Sequence, residues 1–252
     1  MRESSTEKDR RIFCSRLDDM AERVRVSGKP EFLGFLDDGE RRYAEEFLKY
    51  SGLRLQFWGG FPDAERVCLG LSVCEETASE AFPFRCFRLS WRKEDTLGHR
   101  DILGALMGLQ ITRESIGDIL TGEGTGAVFV MDTVAPVVSR EFRQAGRCGI
   151  RCEESSFAAI GLEKRFEPVE GTVSSLRLDC TVAFLARCSR GEAEEKISSG
   201  LVSVDGIPAV QSAKTIPDGC KISIRGVGKF AFDGQDGLSR KGRIRVHFRK
   251  YQ

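Results

Sequence analysis

Histidine is almost missing from this chain, with His99 and His247 its only two among 252 residues. No Cys-x-x-Cys occurs either, and of nine cysteines only Cys148 and Cys152 lie within four residues of each other. Structural zinc sites draw on such close pairs, so no metal and no cofactor is expected. No window holds ~18 consecutive uncharged apolar residues, which excludes a transmembrane helix. The first residues, Met1-Arg2-Glu3-Ser4-Ser5-Thr6-Glu7-Lys8, lack the apolar core of a signal peptide. Without an export signal, an odd number of cysteines reads as reduced thiols buried as small hydrophobes. The expectation is a soluble, cytoplasmic protein with no membrane partner.

Net charge is also close to nil, at +1, but its distribution is uneven. Residues 176–252 carry 14 Lys+Arg against 8 Asp+Glu, whereas residues 1–175 carry 25 against 30. The stretch 225–252 alone holds 8 basic and 2 acidic side chains. An acidic body with a basic C-terminal third suggests contact with a polyanion at one end; chance segregation on solvated surfaces is the alternative.

Residues 1–50 read as helical, with Phe13, Leu17, Met20 and Val24 at helical spacing. Ser27-Gly28-Lys29-Pro30 breaks the segment. Asp37 and Glu40 form a capping-box variant before a second helix that carries Tyr43, Phe47 and Leu48. Strands are expected over 53–58 and 66–74. From residue 84 the order becomes strand (Phe87, Leu89, Trp91), helix (99–108), two strands around Gly122–Gly126, helix (133–145) and strand (147–153). That is β-α-β-β-α-β, the order of ferredoxin-like and RNA-recognition-type (RRM-like) sheets. Its third strand, Gly126–Val130, has one aromatic where a base-stacking sheet would want two or three, so stacking of RNA on it is a weak expectation. Gly122–Gly126 lacks phosphate-loop spacing and reads as a hairpin turn. Residues 155–174, polar and containing Pro168, read as a linker.

Beyond 176 the pattern sharpens. Leu178, Val182 and Leu185 repeat at helical spacing between Arg177 and Arg187. Ser189 and Glu192 make a complete capping box, and Gly200 closes that second helix. Val202 and Val204 alternate as a strand ahead of an Asp205-Gly206 turn, and Pro217-Asp218-Gly219 turns again before Ile222 and Ile224. The segment ends in Arg225-Gly226-Val227-Gly228-Lys229-Phe230. Helix N-termini and glycine backbones offer N–H groups to phosphate oxygens, and Arg and Lys add charge, so the unit is a plausible RNA reader. Taken alone, these caps and turns are equally well explained as structural.

Arg177-Leu178-Asp179, Ser189-Arg190-x-x-Ala193, Gly200-x-Val202-x-Val204-Asp205-Gly206 and Asp218-Gly219-x-x-Ile222-Ser223-Ile224-Arg225 together resemble the S4-type (αL) RNA-binding domain. Upstream, four further runs resemble the bacterial YlmH family: Phe35-Leu36-Asp37, Trp58-Gly59-Gly60-Phe61 with Ala64-Glu65-Arg66, His99-Arg100-Asp101-Ile102-Leu103-Gly104-Ala105-Leu106, and Arg113-Glu114-x-Ile116-Gly117-Asp118-Ile119-Leu120; so does the closing Arg225-Gly226-x-Gly228-Lys229-Phe230. The resemblance spans nearly the whole chain. It implies an α+β protein with a helical N-terminal segment (1–52), a middle RNA-binding α/β domain (53–154), the linker (155–174) and an S4-type domain (175–252). It further implies a monomeric, non-enzymatic binder of structured RNA, both rRNA and tRNA. Such a protein acts on the large ribosomal subunit carrying peptidyl-tRNA, in rescue or quality control of stalled translation.

The expected RNA-binding residues are Arg177, Arg187, Ser189 and Arg190 at the helix junctions and Arg225, Gly226 and Lys229 in the glycine loop. The basic tail Arg240, Lys241, Arg243 and Arg245 adds sequence-independent affinity. Middle-domain contacts are expected from His99, Arg100 and Arg113. Two departures from the family pattern bear on this: Asp205 stands where Asn is usual, and Glu192, Glu194 and Glu195 occupy a helix that is often basic. Catalysis by His99 with Asp101 is disfavoured, because neighbours on a helix start do not face each other and Asp101 reads as an N-cap. The alternatives are an RNA-modifying enzyme of pseudouridine-synthase type with an appended S4-type module, and a protein–protein adaptor. No catalytic-Asp segment of the former is found before residue 176.

Overall fold

The computed structural model describes residues 5–73 and 77–251. The first four residues of the N-terminal polar stretch, Cys74 at the end of the expected strand 66–74, and Gln252 lie outside the described residues. The fold is α+β and divides into two compact units, Met1–Glu163 and Lys164–Gln252. Among the described residues no helix is long and apolar enough to cross a membrane.

The first unit opens with α1 (Ser5–Ser27), which buries Leu17, Met20, Ala21 and Val24, spaced as one helical face requires. Next comes β1 (Glu31–Leu36), which corrects the all-helical reading of 1–50. Phe32-Leu33-Gly34-Phe35-Leu36 is a short apolar run of a kind that periodicity cannot assign; its pairing decides. Asp37 caps α2 (Asp38–Phe47) as expected: its Oδ1 accepts from the N–H of Gly39 and Glu40, and Glu40 Oε2 accepts from the Asp37 N–H. β2 (Arg54–Trp58) and β3 (Val67–Ser72) complete an antiparallel sheet in the order β1-β3-β2. The expected boundary at 52/53 therefore falls inside a sheet.

A second antiparallel sheet is built from β4 (Phe84–Ser90), β5 (Ile116–Thr121), β6 (Thr125–Met131) and β9 (Arg151–Glu154), in the order β5-β6-β4-β9. With α3 (His99–Gly108) after β4 and α4 (Ala135–Glu141) after β6, this is the ferredoxin-like order expected from the sequence. α4 is shorter than the expected 133–145. Phe142 ends it, and the chain turns into a small hairpin, β7 (Gln144–Ala145) with β8 (Cys148–Gly149), through Gly146.

Both faces of this second sheet are covered. Phe87, Leu89, Val128 and Val130 pack with Ile102, Leu106 and Val138 of the two helices. On the opposite face, Phe129 meets Phe61 at 5.6 Å and Phe157 of α5 (Phe157–Ile160) at 5.6 Å, while Phe61 and Phe157 stack at 4.6 Å. RNA readers of this topology use that second face for base stacking. Here Phe129 is only 2% exposed, so the surface is closed.

The closure depends on glycines that let backbone approach aromatic rings. At Gly60, φ is +97° and a Cβ would overlap the Phe129 ring; at Gly117 it would come within 2.7 Å of Phe35. Gly60→Ala combines overpacking with a strained backbone. It is expected to cost about 2–4 kcal/mol, measurable as a lowered urea midpoint of the full chain.

The second unit begins with β10 (Phe166–Val173), which pairs along its whole length with β15 (Ile244–Tyr251). Residues 166–173 are thus a strand of this unit, correcting the linker reading of 155–174. Pro168 is tolerated because β10 is an edge strand. Then follow α6 (Leu178–Ala186), α7 (Arg190–Ser198), β11 (Val202–Val204), β12 (Ile207–Pro208), β13 (Lys221–Ile224) and β14 (Gly228–Leu238). The sheet order is β10-β15-β14-β13-β11-β12. Val182, Leu185 and Ile197 of the helices pack with Ile222, Phe230 and Phe248 of the sheet.

Candidate nucleic-acid interface

The start of α6 is organised by Asp179, a carboxylate with no solvent exposure. Arg177 donates to it through Nη2 at 2.7 Å and Nε at 3.2 Å, and Arg190, from the start of α7, through Nη2 at 2.8 Å and Nε at 3.1 Å. Cys180 is a third donating residue, its N–H at 2.7 Å. The Arg177 guanidinium foremost, opposing the cost of burial together with Arg190, holds the Asp179 carboxyl well below the usual carboxylate range. Both arginines nevertheless reach solvent, with side chains 37% and 54% exposed. Asp179 therefore fixes two partly exposed cations at the surface, and Arg190 Nε also lies 3.5 Å from Glu194 Oε1. Arginine suits this, because its planar fork can bind a carboxylate on one side and a phosphate on another.

Neighbouring segments extend the cluster. The Leu178 N–H donates to Lys214 O and the Asp179 N–H to Ser212 O, which brings the exposed Lys214 beside the helix start. Ser189 caps α7 as expected, accepting from the Glu192 N–H at 3.3 Å while Glu192 Oε2 accepts from the Ser189 N–H at 2.7 Å. The Ser189 hydroxyl and the Glu192 carboxylate are thereby engaged by backbone. Arg187 closes α6 with φ +52° and ψ +46°, a left-handed position where glycine is usual. Its side chain is exposed. A non-glycine residue at such a position carries a backbone cost of about 1 kcal/mol. Arg187→Gly is expected to leave stability unchanged or raised by up to about 1 kcal/mol. RNA affinity should nonetheless fall, with the log–log salt slope reduced by about 1; denaturant titration and salt-series binding check the two parts.

Arg225 and Gly226 form the central residues of a tight turn in which the Val227 N–H donates to Ile224 O; Gly226, at φ +81°, supplies the conformation a type II turn needs. The Arg225 side chain is exposed, and its N–H donates to Leu201 O beyond the end of α7. Arg225 thus lies at the opposite end of α7 from Arg190, roughly 13 Å away by the rise of nine residues. The helix-junction and glycine-loop cations expected from the sequence thus form two separate clusters. Lys229 is half-buried, its Nζ held over the Tyr251 ring at 5.3 Å. Arg240 and Lys241 are exposed in the β14–β15 turn, and Arg245 is exposed on β15. Arg243 donates through Nη2 to Thr172 O at 3.0 Å.

Asp205 and Gly206 take φ of +48° and +76°, the paired left-handed residues of a type I′ hairpin. Asp205 Oδ1 accepts from the Lys221 N–H at 2.8 Å, so the carboxylate that replaces the usual Asn ties the turn to β13.

In the first unit the residues proposed from sequence have different roles. Arg113 turns inward, donating to Ile116 O at 2.6 Å, and burial beside Arg66 lowers its pKa to about 10. His99 and Arg100 are exposed on the first turn of α3. Asp101 is the third residue of that helix and not its cap: its Oδ2 accepts from the Gly98 N–H at 2.9 Å. Asp118 accepts from the N–H groups of Glu65 and Arg66, and Arg66 donates to Phe35 O and Ile116 O. These bonds fasten β1, the loop before β3 and β5 together. Sequence reasoning passed over Asp179 and Lys214 as functional. Arg-x-Asp two residues apart, with a second Arg at a helix start, was the available signal for the first.

Residues 78–159 match the family model described as "Putative RNA-binding domain in YlmH". Over 246 residues the chain is 28% identical to the Ribosome-associated protein quality control protein P2 of Bacillus subtilis, covering 96% of each. The chain thus resembles the YlmH family. A solved structure, the cell division protein ylmH from Streptococcus pneumoniae, shares the fold with a TM-score of 0.52 at 21% identity, over 63% of this chain and 96% of that one. In this chain the upstream motifs are scaffold: Gly59 and Gly60 admit backbone and ring where a Cβ would clash, Phe61 seals the second sheet, and Gly117-Asp118 joins the sheets.

Proposed function

We propose that the chain is a non-enzymatic, monomeric, cytoplasmic RNA-binding protein that acts on the ribosome, with residues 164–252 serving as an S4-type RNA-binding domain. Its targets are large-subunit rRNA and peptidyl-tRNA, in rescue or quality control of stalled translation. The observation that carries this reading is the clamp of Arg177 and Arg190 on buried Asp179, which holds two partly exposed cations near Lys214 and Arg243. Such preorganised guanidiniums suit phosphate, and their side chains need little further ordering on binding. A relative matched over 96% of its length bears a ribosome-associated quality-control name, which supports the ribosome as the place of action. For the first unit, the closed aromatic face disfavours base stacking on its sheet. Arg100 and His99 remain as surface contacts there.

The non-enzymatic reading is supported by Asp101, which accepts from the Gly98 backbone and does not pair with His99. The test is cosedimentation of the full chain with large ribosomal subunits across a salt series, followed by mass spectrometry of the RNA nucleosides. Binding that weakens steeply with salt and leaves every nucleoside unchanged is expected. A modified nucleoside that appears with turnover would establish the enzyme alternative instead, and binding indifferent to salt would favour the adaptor.

A further inference from the structure

We propose that a pocket of about 270 Å³ in the C-terminal unit takes one unstacked nucleotide of the bound RNA. This deepens the RNA-binding reading above and rests on it. The walls are Ser174 after β10, Cys180 and Phe184 on α6, Cys188 in the α6–α7 connection, Arg190 at the start of α7, and Arg243 before β15. None of the lining residues is a carboxylate. Two guanidiniums therefore share one small cavity, Arg190 anchored on Asp179 and Arg243 on the Thr172 carbonyl, so neither has to be immobilised when an anion enters.

The remaining walls suit a base. Phe184 is wedged over Gly171, where a Cβ would overlap its ring, and tilts against Phe248 at 6.2 Å. It is an aromatic wall held in place from behind. The Ser174 and Ser175 hydroxyls donate to Cys180 Sγ at 3.3 and 3.5 Å, which fixes the polar side of the cavity. Pockets that enclose a drug-sized ligand begin at roughly 300 Å³, so this one is sized for a single nucleotide and not for a base pair. Phosphate at the two arginines with the base against Phe184 is the pairing of charge and stacking by which proteins hold single-stranded RNA. Nucleotides already unpaired in loops or bulges would enter at the lowest cost.

Cys188 gives a direct readout with the full-length protein. Its alkylation is followed by peptide mass spectrometry without RNA, with bulk bacterial ribosomal RNA, and with a mixture of the four free mononucleotides. In parallel, Cys188→Trp fills the pocket without removing a charge. Ribosomal RNA is expected to slow Cys188 alkylation about tenfold, and the Trp variant to bind that RNA about tenfold more weakly, the scale of one lost stacked base. Should Cys188→Trp fail to fold by circular dichroism, the wild-type alkylation rates decide. Wild-type protein that binds ribosomal RNA with Cys188 labelled at its free rate overturns the pocket assignment and leaves RNA binding standing. Protection by free mononucleotides equal to that by RNA overturns the RNA-borne ligand. Absence of any binding to ribosomal RNA in dilute buffer overturns the functional reading, and the pocket assignment with it.

Discussion

Replacing Arg177 and Arg190 together by alanine is expected to cost the C-terminal unit about 3 kcal/mol, the low end for an ion pair broken on one side, because solvent can enter where the side chains were. For a small domain that is a large share of its stability. The reason is asymmetry. Asp179 is fully buried, so removing both partners leaves a desolvated carboxylate with no cation paired to it and only Cys180, through its N–H and thiol, to stabilise it.

The pH dependence follows with a definite sign. In the wild type the folded-state pKa of Asp179 lies below its unfolded value of about 3.9. Its contribution is therefore present above that value and lost as pH falls toward the folded pKa. In the double variant burial is uncompensated, the folded pKa rises above the unfolded one, and protonation relieves the penalty. The gap in stability between the two proteins should narrow as pH falls from neutral toward about 4. Urea midpoints of both proteins at several pH values measure it, and a constant gap would contradict the charge argument. One practical consequence concerns Arg190: its loss of affinity on mutation has to be separated from loss of fold.

The second large effect concerns cations that bear no structural duty. Arg187, Arg225, Arg240 and Lys241 are exposed. Replacing all four by alanine is expected to leave the unfolding transition within about 1 kcal/mol of wild type. Affinity for ribosomal RNA should fall about a hundredfold or more at moderate salt, and the log–log salt slope by about 3. Filter binding across a salt series reads both quantities. A loss of affinity with an unchanged slope would mean that these side chains act other than through phosphate.

How much of this was legible in the sequence depends on the range of the interaction concerned. The capping boxes at Asp37 and Ser189, the turns at Asp205-Gly206 and Pro217-Gly219, and the β-α-β-β-α-β order were readable because each is set within a few residues. β1 was missed because Phe32–Leu36 becomes a strand only by pairing with β3, more than thirty residues away. β10 was missed for the same reason: a polar, Pro-containing segment pairs with a strand more than seventy residues on. The site shows the same division. Arg177 and Arg190 could be picked out by charge and position, but the buried Asp179 that unites them could not, since burial is a property of the packed core. Nor could Lys229 or Arg113 be discounted, because one lies over Tyr251 and the other turns to backbone carbonyls only in the folded chain.

The most direct measurement is photocrosslinking of the full-length protein to ribosomal particles, with the crosslinked peptides mapped by mass spectrometry. Crosslinks concentrated in 177–190, around Lys214, and in 225–245, with none from the closed face carrying Phe129, are the predicted result. Crosslinks confined to residues 78–159, with the C-terminal unit bare, would contradict it.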